Sequence, residues 1–246
     1  MHDSSALASL IPMAPSSGSF QEALTALKSA EYTSDRLSEP FAEVFPVTGA
    51  AVSTLGDVLG SETVSASDSR AARLDEIQFD LGEGPCWDAV RSARPSGEVD
   101  LANRGRERWP AFAAALREDP IGSIFAFPLA VGALRFGAID LYSLEPLSLS
   151  ADHYAQAAAM ADVVSRHLLR DALAEDEEIP NPRSRRVVHQ ATGMVLAQLN
   201  LSPDEAQLIV RGHAYASSRS VMEVAEYVVE GRLRFVQRDG AIEVMR

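Results

Sequence analysis

Cysteine is nearly absent from this chain, since Cys86 is the only one among 246 residues. A single thiol excludes an internal disulfide and any metal site built from several thiolates. This usage suits a reducing compartment, so we expect a cytoplasmic protein.

The most apolar window, 123–142, contains Pro128, Arg135 and Asp140, and it therefore lacks the uninterrupted run that spans a bilayer. We expect no membrane partner.

Signatures of catalysis are also missing. The chain has no glycine-rich phosphate loop, no His-Glu-x-x-His and no Gly-x-Ser-x-Gly, and its five histidines are scattered. The sequence therefore predicts a protein that is not an enzyme and needs no metal or cofactor.

The segment 1–18 carries Asp3 where a secretory signal carries positive charge, and prolines interrupt its apolar stretch. We interpret it as a disordered tail.

Positive charge is scarce and unevenly placed. The whole chain carries a net charge of −13. From Arg183 onward nine arginines face seven acids, a net charge of +2, so the first 182 residues carry −15. Phosphate contacts need cations on at least one face. Only the C-terminal segment has the balance of charge that binding to nucleic acid requires.

Helix starts and proline breaks divide the chain. Three Ser-x-x-Glu patterns are typical of capping boxes, in which serine caps one backbone N–H and glutamate returns the bond. They are Ser19–Glu22, Ser202–Glu205 and Ser220–Glu223. Between the first two, short strand-like runs alternate with helical ones, and Pro180 and Pro182 then interrupt the pattern. We predict a tail at 1–18, a first domain at 19–171, a linker at 172–182 and an all-helical domain at 183–246.

The first domain contains LGEGPCWDAV, then RWPAF, then PLAVGALRFGAIDLYS and the long helix that follows. Together these runs resemble a GAF domain of bacterial signal-transduction proteins. The resemblance implies an α+β fold in which helices flank an antiparallel sheet. It also implies an input, an unknown small molecule or a partner protein. A seam of Ala157, Ala161, Val164 and Leu168 on the long helix is typical of a coiled coil or of a packing face.

Four side chains are candidates for a ligand pocket in this domain: Phe125, Phe127, Tyr142 and Cys86. The three aromatic rings could line a pocket or fill the core, and we favour filling, because the sequence shows no polar cluster of the kind a cyclic nucleotide needs. Cys86 follows Pro85 at a helix start, where the helix dipole could lower a thiol pKa. A lone cysteine is more often a small buried apolar group. A thiol-based sensor is one alternative function.

The second domain contains the run RRVVHQATGMVLAQLNLSPDEAQLIVRGHAYASSRSVMEVAEYVV. This run resembles the ANTAR domain, a three-helix RNA-binding module of transcription antitermination regulators. The resemblance implies that dimers bind paired RNA stem-loops and prevent a terminator from forming. The family often has a basic residue where this chain has Thr192, although a hydroxyl can still bond phosphate.

The candidate RNA-binding residues include four arginines, whose planar guanidinium matches phosphate geometry, and one exposed ring for stacking on an unpaired base. They are Arg185, Arg186, Gln190, Thr192, Gly193, Arg211, Tyr215 and Arg219. His213 lies on the apolar stripe and is interpreted as a core residue. Gly193 costs stability in mid-helix. It would admit either an RNA loop or a neighbouring helix, and we favour helix packing because Ala191 nearby is also small.

These observations predict a homodimeric, signal-responsive regulator in which the GAF-like domain controls binding of RNA stem-loops by the ANTAR-like domain, and thereby transcription termination. The long helix after Ser150 would connect the two. The alternative is a protein-interaction switch in which the C-terminal helices only dimerise and RNA is not a ligand.

Overall fold

The structure, a computed structural model, describes residues 17–29, 32–56, 59–174, 185–238 and 241–245. The predicted tail at 1–18 and the predicted linker at 172–182 lie largely outside these ranges. The described helices are α1 (Ser17–Leu27), α2 (Glu39–Val44), α3 (Ser69–Leu81), α4 (Pro85–Ser92), α5 (Leu101–Arg108), α6 (Pro110–Ala115), α7 (Ala151–Ala174), α8 (Arg186–Leu199), α9 (Pro203–Ala216) and α10 (Val221–Val229). The described strands are β1 (Gly49–Thr54), β2 (Glu62–Ala66), β3 (Ser96–Glu98), β4 (Ser123–Val131), β5 (Leu134–Ser143), β6 (Arg234–Arg238) and β7 (Ala241–Met245).

A five-stranded sheet organises the N-terminal unit, by which we mean the described residues of 17–174. Its strand order is β2-β1-β5-β4-β3, and every neighbouring pair is antiparallel. The β4–β5 hairpin turns at Gly132, whose positive φ of 62° favours glycine. The strand-like runs noted in the sequence include both the β1–β2 and the β4–β5 hairpins, where small and β-branched residues lie between turn residues. The predicted α+β fold is confirmed.

The two faces of this sheet support separate layers of helices. Side chains alternate along a strand, so Phe125 and Phe127 on β4 point to one face and Ile124 to the other. The first face packs against α1, α2 and α7, and the second packs against α3 and α6. The predicted seam on α7 is buried in the first layer, from Ala157 to Leu168. That seam is therefore a packing face within the N-terminal unit.

Helix α7 ends later than the sequence indicated. It continues to Ala174, three residues into the segment predicted as linker. Among the described residues, no helix is both long and apolar enough to cross a membrane.

Three helices form the C-terminal unit, the described residues of 185–245, around a core that includes Val188, Val195, Val210 and Val224. Serine at each N-cap and glutamate three positions on make two full capping boxes, at Ser202 and Ser220. These two predicted helix starts are confirmed. The third prediction was wrong, because α1 already begins at Ser17 and contains Ser19.

A short hairpin follows the three helices, so the prediction of an all-helical domain after the linker was wrong. Strands β6 and β7 pair antiparallel, with Phe235 opposite Val244. Phe235 is buried against the helices, and its backbone N–H donates to Oε1 of Gln198 on α8 at 3.0 Å. The hairpin thereby covers one side of the three-helix core. This matters because so short a domain buries little surface with its helices alone.

The two units share one hydrophobic cluster. It joins Phe79 on α3, Cys86 on α4 and Ala138 on β5 to the buried residues of α8, α9 and α10. One backbone bond also crosses between them, from the N–H of Arg185 to the carbonyl of Ser61 at 2.8 Å. The C-terminal unit is therefore docked on the N-terminal unit in this conformation.

Candidate functional site

One face of α8 is exposed, and it carries three of the predicted RNA-binding residues. Arg186, Gln190 and Gly193 are all exposed, and their spacing of four and then three positions places them on a single face of the helix. The buried side chains of Val188 and Val195 occupy the opposite face. We call Arg186, Gln190 and Gly193 the open face of α8.

Gly193 does not pack against another helix of the described chain, contrary to the interpretation we favoured. A Cβ built at this position would meet no atom within 4 Å among the described residues. Glycine in mid-helix costs about 1 kcal/mol relative to alanine. Packing within the described part of the chain therefore does not explain this residue.

Thr192 lies beside the open face and is half-buried. Its hydroxyl donates to the carbonyl of Val188, one turn earlier, at 2.7 Å. A hydroxyl has a single proton. In this rotamer Thr192 therefore has no donor left for a phosphate oxygen.

The neighbouring helix α9 presents two large apolar side chains to solvent. Tyr215 is 78% exposed and Leu208 is 68% exposed, and seven positions separate them, so they share a face. Tyr215 is accessible for stacking, as predicted. Sequence reasoning missed Leu208, although an apolar residue outside the buried stripe of Ala206, Val210 and Ala214 was a usable signal.

The remaining exposed candidate, Arg219, lies over the ring of Tyr227 at 4.7 Å from the centroid. His213 is half-buried, and its ring meets Phe235 edge to face at 5.6 Å. Its apolar surroundings agree with the core role predicted for it.

Arg185 and Arg211 lie apart from the other RNA-binding candidates, between the two units. Nη2 of Arg185 donates to Oδ2 of Asp75 at 3.1 Å, and the guanidinium lies 4.0 Å from the centroid of the Phe79 ring. Arg211 approaches the same ring at 5.6 Å and that of Trp87 at 5.4 Å. Burial lowers the pKa of Arg211. Docking therefore buries Arg185 fully and Arg211 in part.

Asp80 adds a third polar contact between the units. Its carboxylate lies near the backbone N–H of Val221, at the first turn of α10, and its Oδ1 is buried without a hydrogen-bond partner among the described residues. A carboxylate is favourable there because it faces the positive end of the helix dipole. Burial, opposed by the nearby N–H of Val221, nevertheless raises the pKa of Asp80 from its ordinary 3.8 to about 6.

The four predicted pocket residues do not meet in one pocket. Phe125 and Phe127 lie on the α7 side of the sheet and contact Tyr154, at centroid distances of 6.1 and 5.6 Å. Tyr142 lies on the opposite side, where burial and a hydrogen bond to Asp68 raise its pKa to about 12. All three rings are buried and fill the core, as we favoured.

Cys86 belongs to neither aromatic group. It is fully buried, and burial, with Asp140 nearby, raises the pKa of its thiol well above the ordinary value. The thiolate is the reactive form of cysteine. Its position at the start of α4 therefore does not activate it.

A buried polar cluster, which sequence reasoning missed, lies where α3 meets the sheet. Gln78 donates to Asp140 on β5 and accepts from the N–H of Cys86 at 2.9 Å. Asp75, one turn before Gln78 on α3, accepts from the hydroxyl of Thr63 at 2.5 Å. Burial raises the pKa of Asp140 well above its usual range, and the neighbouring Asp75 adds to this. The signal was present in α3, where both polar residues share a face with the buried Leu74.

Comparisons with known proteins agree with this architecture. The model of the GAF domain matches residues 33–168, and the model of the ANTAR domain matches residues 181–229. No curated protein matches the chain.

Solved structures resemble the N-terminal unit. The GAF domain from an Acinetobacter phosphoenolpyruvate-protein phosphotransferase has a TM-score of 0.52 and 10% identity, covering 65% of this chain and 96% of that one. The GAF domain from a phosphoenolpyruvate-protein phosphotransferase of Coxiella burnetii gives 0.49 and 14%, covering 64% and 94%. At such low identity the first likeness supports the fold alone.

The GAF match spans more than half of the chain, and the ANTAR match covers the three helices that follow. The N-terminal unit is thus a GAF domain, and the C-terminal unit contains an ANTAR domain. The chain belongs to the GAF-domain family and combines its GAF domain with an ANTAR domain, the architecture of a signal-responsive regulator.

Proposed function

We propose that this protein binds stem-loop RNA through its ANTAR domain and controls transcription termination, under the control of its GAF domain. The observation that carries the proposal is the open face of α8. It places a cation, an amide and an uncovered glycine together on the domain that matches an RNA-binding family. Guanidinium and amide groups bond phosphates and base edges, and a missing side chain permits close approach of a backbone.

The position of Arg185 and Arg211 between the two domains gives a way for the GAF domain to control RNA binding. Arg185 is buried and Arg211 is half-buried while the two domains are docked, so both become fully available to RNA when the ANTAR domain leaves the GAF domain. An input that weakens docking would therefore increase the positive surface available to phosphate. The proposed role is regulatory and not enzymatic, in a cytoplasmic protein that acts as a homodimer on paired stem-loops.

The experiment that tests the proposal is titration of the full chain with a paired stem-loop RNA at rising salt. Phosphate contacts require that log affinity fall linearly with log salt. Arg186→Ala and Gln190→Ala should each weaken binding, whereas Arg94→Ala, an exposed arginine of the GAF domain, should not. Binding that is unaffected by both α8 variants would contradict the assignment of the open face.

A second candidate, a protein-interaction switch, is favoured by the exposed Leu208 and Tyr215 on α9. Exposed large apolar side chains that share a face are typical of protein contacts. The double variant Leu208→Ser/Tyr215→Ser distinguishes the two functions. Loss of self-association with RNA affinity per protomer intact would favour the switch, whereas loss of RNA binding by a chain that remains dimeric would favour a direct contact with RNA.

A further inference from the structure

The GAF domain holds a guanidinium group where it meets the ANTAR domain, and that group comes from the ANTAR side, from Arg185. Asp75 is 1% exposed, and its carboxylate pairs with Arg185, which is 3% exposed. The ring of Phe79 lies 4.0 Å from the guanidinium carbon, and Oγ1 of Thr63 lies 3.3 Å from Nη2. We call Thr63, Asp75 and Phe79 the Asp75 cradle.

The chemistry of the cradle selects a cation with N–H donors. A carboxylate supplies charge and an acceptor, and an aromatic face attracts guanidinium or ammonium through its quadrupole. Thr63 gives its proton to Asp75, so its oxygen faces the cation as an acceptor. Asp140, also buried on this side of the sheet, adds the oxygens of a second carboxyl group. Anions and large apolar molecules do not match this set of groups.

Arg185 does not satisfy all the polar atoms of the Asp75 cradle with hydrogen bonds. Oδ1 of Asp75 and Nη1 of Arg185 are both buried, and neither has a hydrogen-bond partner in the described part of the chain. Oδ1 of Asp140 is likewise buried without a partner among these residues. A guanidinium can make two parallel bonds to one carboxylate, and here it makes one. A free ligand that is not constrained by the start of α8 would be able to make both.

We propose that the Asp75 cradle is the ligand site of the GAF domain, that its ligand is a small guanidinium or primary ammonium compound, and that Arg185 occupies it as an internal substitute in this conformation. Ligand and Arg185 cannot pair with Asp75 together, so binding of the ligand and docking of the ANTAR domain exclude one another. The ligand thereby releases Arg185 and Arg211. Only this last consequence for RNA rests on the proposed function.

Chemical rescue of the full chain tests the site. In Arg185→Ala, butylguanidinium at millimolar, non-denaturing concentration should raise the thermal midpoint saturably, by about 5 °C. Butylurea, which has a similar shape and no charge, should have no such effect. The double variant Asp75→Asn/Arg185→Ala removes the carboxylate and should lose the rescue. If Arg185→Ala does not fold alone, recovery of folded protein on refolding with each compound is measured in its place, with the same expectations.

The wild-type chain tests competition. Butylguanidinium should accelerate hydrogen exchange of the first amides of α8 that form hydrogen bonds, and Asp75→Asn should abolish this response. Rescue by butylurea, rescue that survives Asp75→Asn, or an α8 that is unaffected by saturating butylguanidinium would each overturn the proposal. Rescue and release of α8 without any change in RNA affinity would support the site and contradict the proposed control of RNA binding.

Discussion

Two adjacent arginines at the start of α8 have opposite surroundings. Arg185 is buried against Asp75 and Phe79, whereas Arg186 is exposed on the open face. Removing one partner of a buried ion pair leaves an uncompensated charge, which costs far more than the loss of an exposed side chain. Alanine at position 185 therefore tests the contact between the two domains, and alanine at position 186 tests the proposed contact with RNA.

We expect Arg185→Ala to lower the free energy of unfolding by about 3–5 kcal/mol, because Asp75 loses the partner with which it is buried. Arg186→Ala should change it by no more than about 0.5 kcal/mol. Urea unfolding of both full-length variants, followed by circular dichroism, measures the difference. Equal effects on stability would mean that Asp75 does not depend on Arg185.

Asp80 gives the interface a dependence on pH. Burial raises its pKa from 3.8 to about 6, so the docked state binds a proton that the unfolded chain releases between these values. Its contribution to stability is therefore complete below about pH 3.8 and is lost as pH rises through about 6. The charged groups around it are Glu76, Arg73, Arg185 and Arg211.

The expected result is that, between pH 7 and pH 5, lowering the pH strengthens the wild-type chain more than Asp80→Asn. The amide of the substituted side chain cannot titrate, and it has nearly the same size and shape as the carboxyl group. Asp140, whose pKa is also raised, contributes in the same direction in both proteins. The urea midpoint at the two pH values measures the effect. A pH dependence of equal size in the variant would contradict the role of Asp80.

At the scale of the helix, Gly193 interrupts an otherwise favourable sequence in α8. Gly193→Ala should stabilise the chain by up to about 1 kcal/mol, because alanine has the higher helix propensity and its Cβ meets nothing within 4 Å in the described residues. The same change should weaken RNA binding if RNA approaches the backbone here.

The matched control is Gly212→Ala on α9, another mid-helix glycine whose Cβ would meet no described atom within 4 Å. Thermal unfolding and RNA titration are measured for both variants. Similar stabilisation with a loss of RNA affinity only at Gly193 is expected. Unchanged affinity in Gly193→Ala would place the RNA contact elsewhere.

The β6–β7 hairpin contributes to the core of the ANTAR domain in addition to its three helices. Phe235→Ala should cost about 3–5 kcal/mol, since the ring is buried and contacts His213. Ile242→Ala on β7, where the side chain is 41% exposed, serves as the control and should cost much less. Urea unfolding monitors both. A small effect at Phe235 would show that the helices are stable without the hairpin.

Local chemistry explains which elements the sequence could predict. The starts of α9 and α10 were predictable because each capping box lies within four residues. The hairpin was missed, although Asp239-Gly240 between its strands is a dipeptide typical of two-residue hairpin loops. Those two residues lie outside the described ones. Alternation in β6 was weak, because only Phe235 is buried there.

The candidate site was predictable to the extent that it depends on one helix. The spacing of Arg186, Gln190 and Gly193 sets a common face whatever surrounds α8. The position of Arg185 was not predictable, because its partner Asp75 is 110 residues away and the pair depends on how two domains pack. A pattern within one element carries no information about that packing.

In the whole molecule, the more basic ANTAR domain is docked on the acidic GAF domain. The segment before Arg183 carries a net charge of −15, and the segment from Arg183 onward carries +2. Docking places Arg185 beside Asp75 and Arg211 near Asp80, and it buries the first arginine fully and the second in part. The charge contrast in the sequence thus contributes to contacts between the two domains, and in the proposed function docking withholds these two cations from RNA.

Breaking the interface should therefore change how RNA binding depends on salt. Asp80→Lys places a like charge beside Arg211 and at the positive end of α10, where it is unfavourable. We expect tighter RNA binding and a log–log salt dependence steeper by about 1–2, because each newly available arginine releases about one counterion. Titrations of the full chain with stem-loop RNA at several salt concentrations measure the slope.

The control is Asp162→Lys, which makes the same change of charge at an exposed position on α7, away from the interface. It alters the net charge of the chain, and so its long-range attraction for RNA, by the same amount. If both variants steepen the salt dependence equally, then net charge accounts for the effect and Arg185 and Arg211 are not held back by docking. A steeper slope in Asp80→Lys alone would mean that the interface sets how many cations the ANTAR domain presents to RNA.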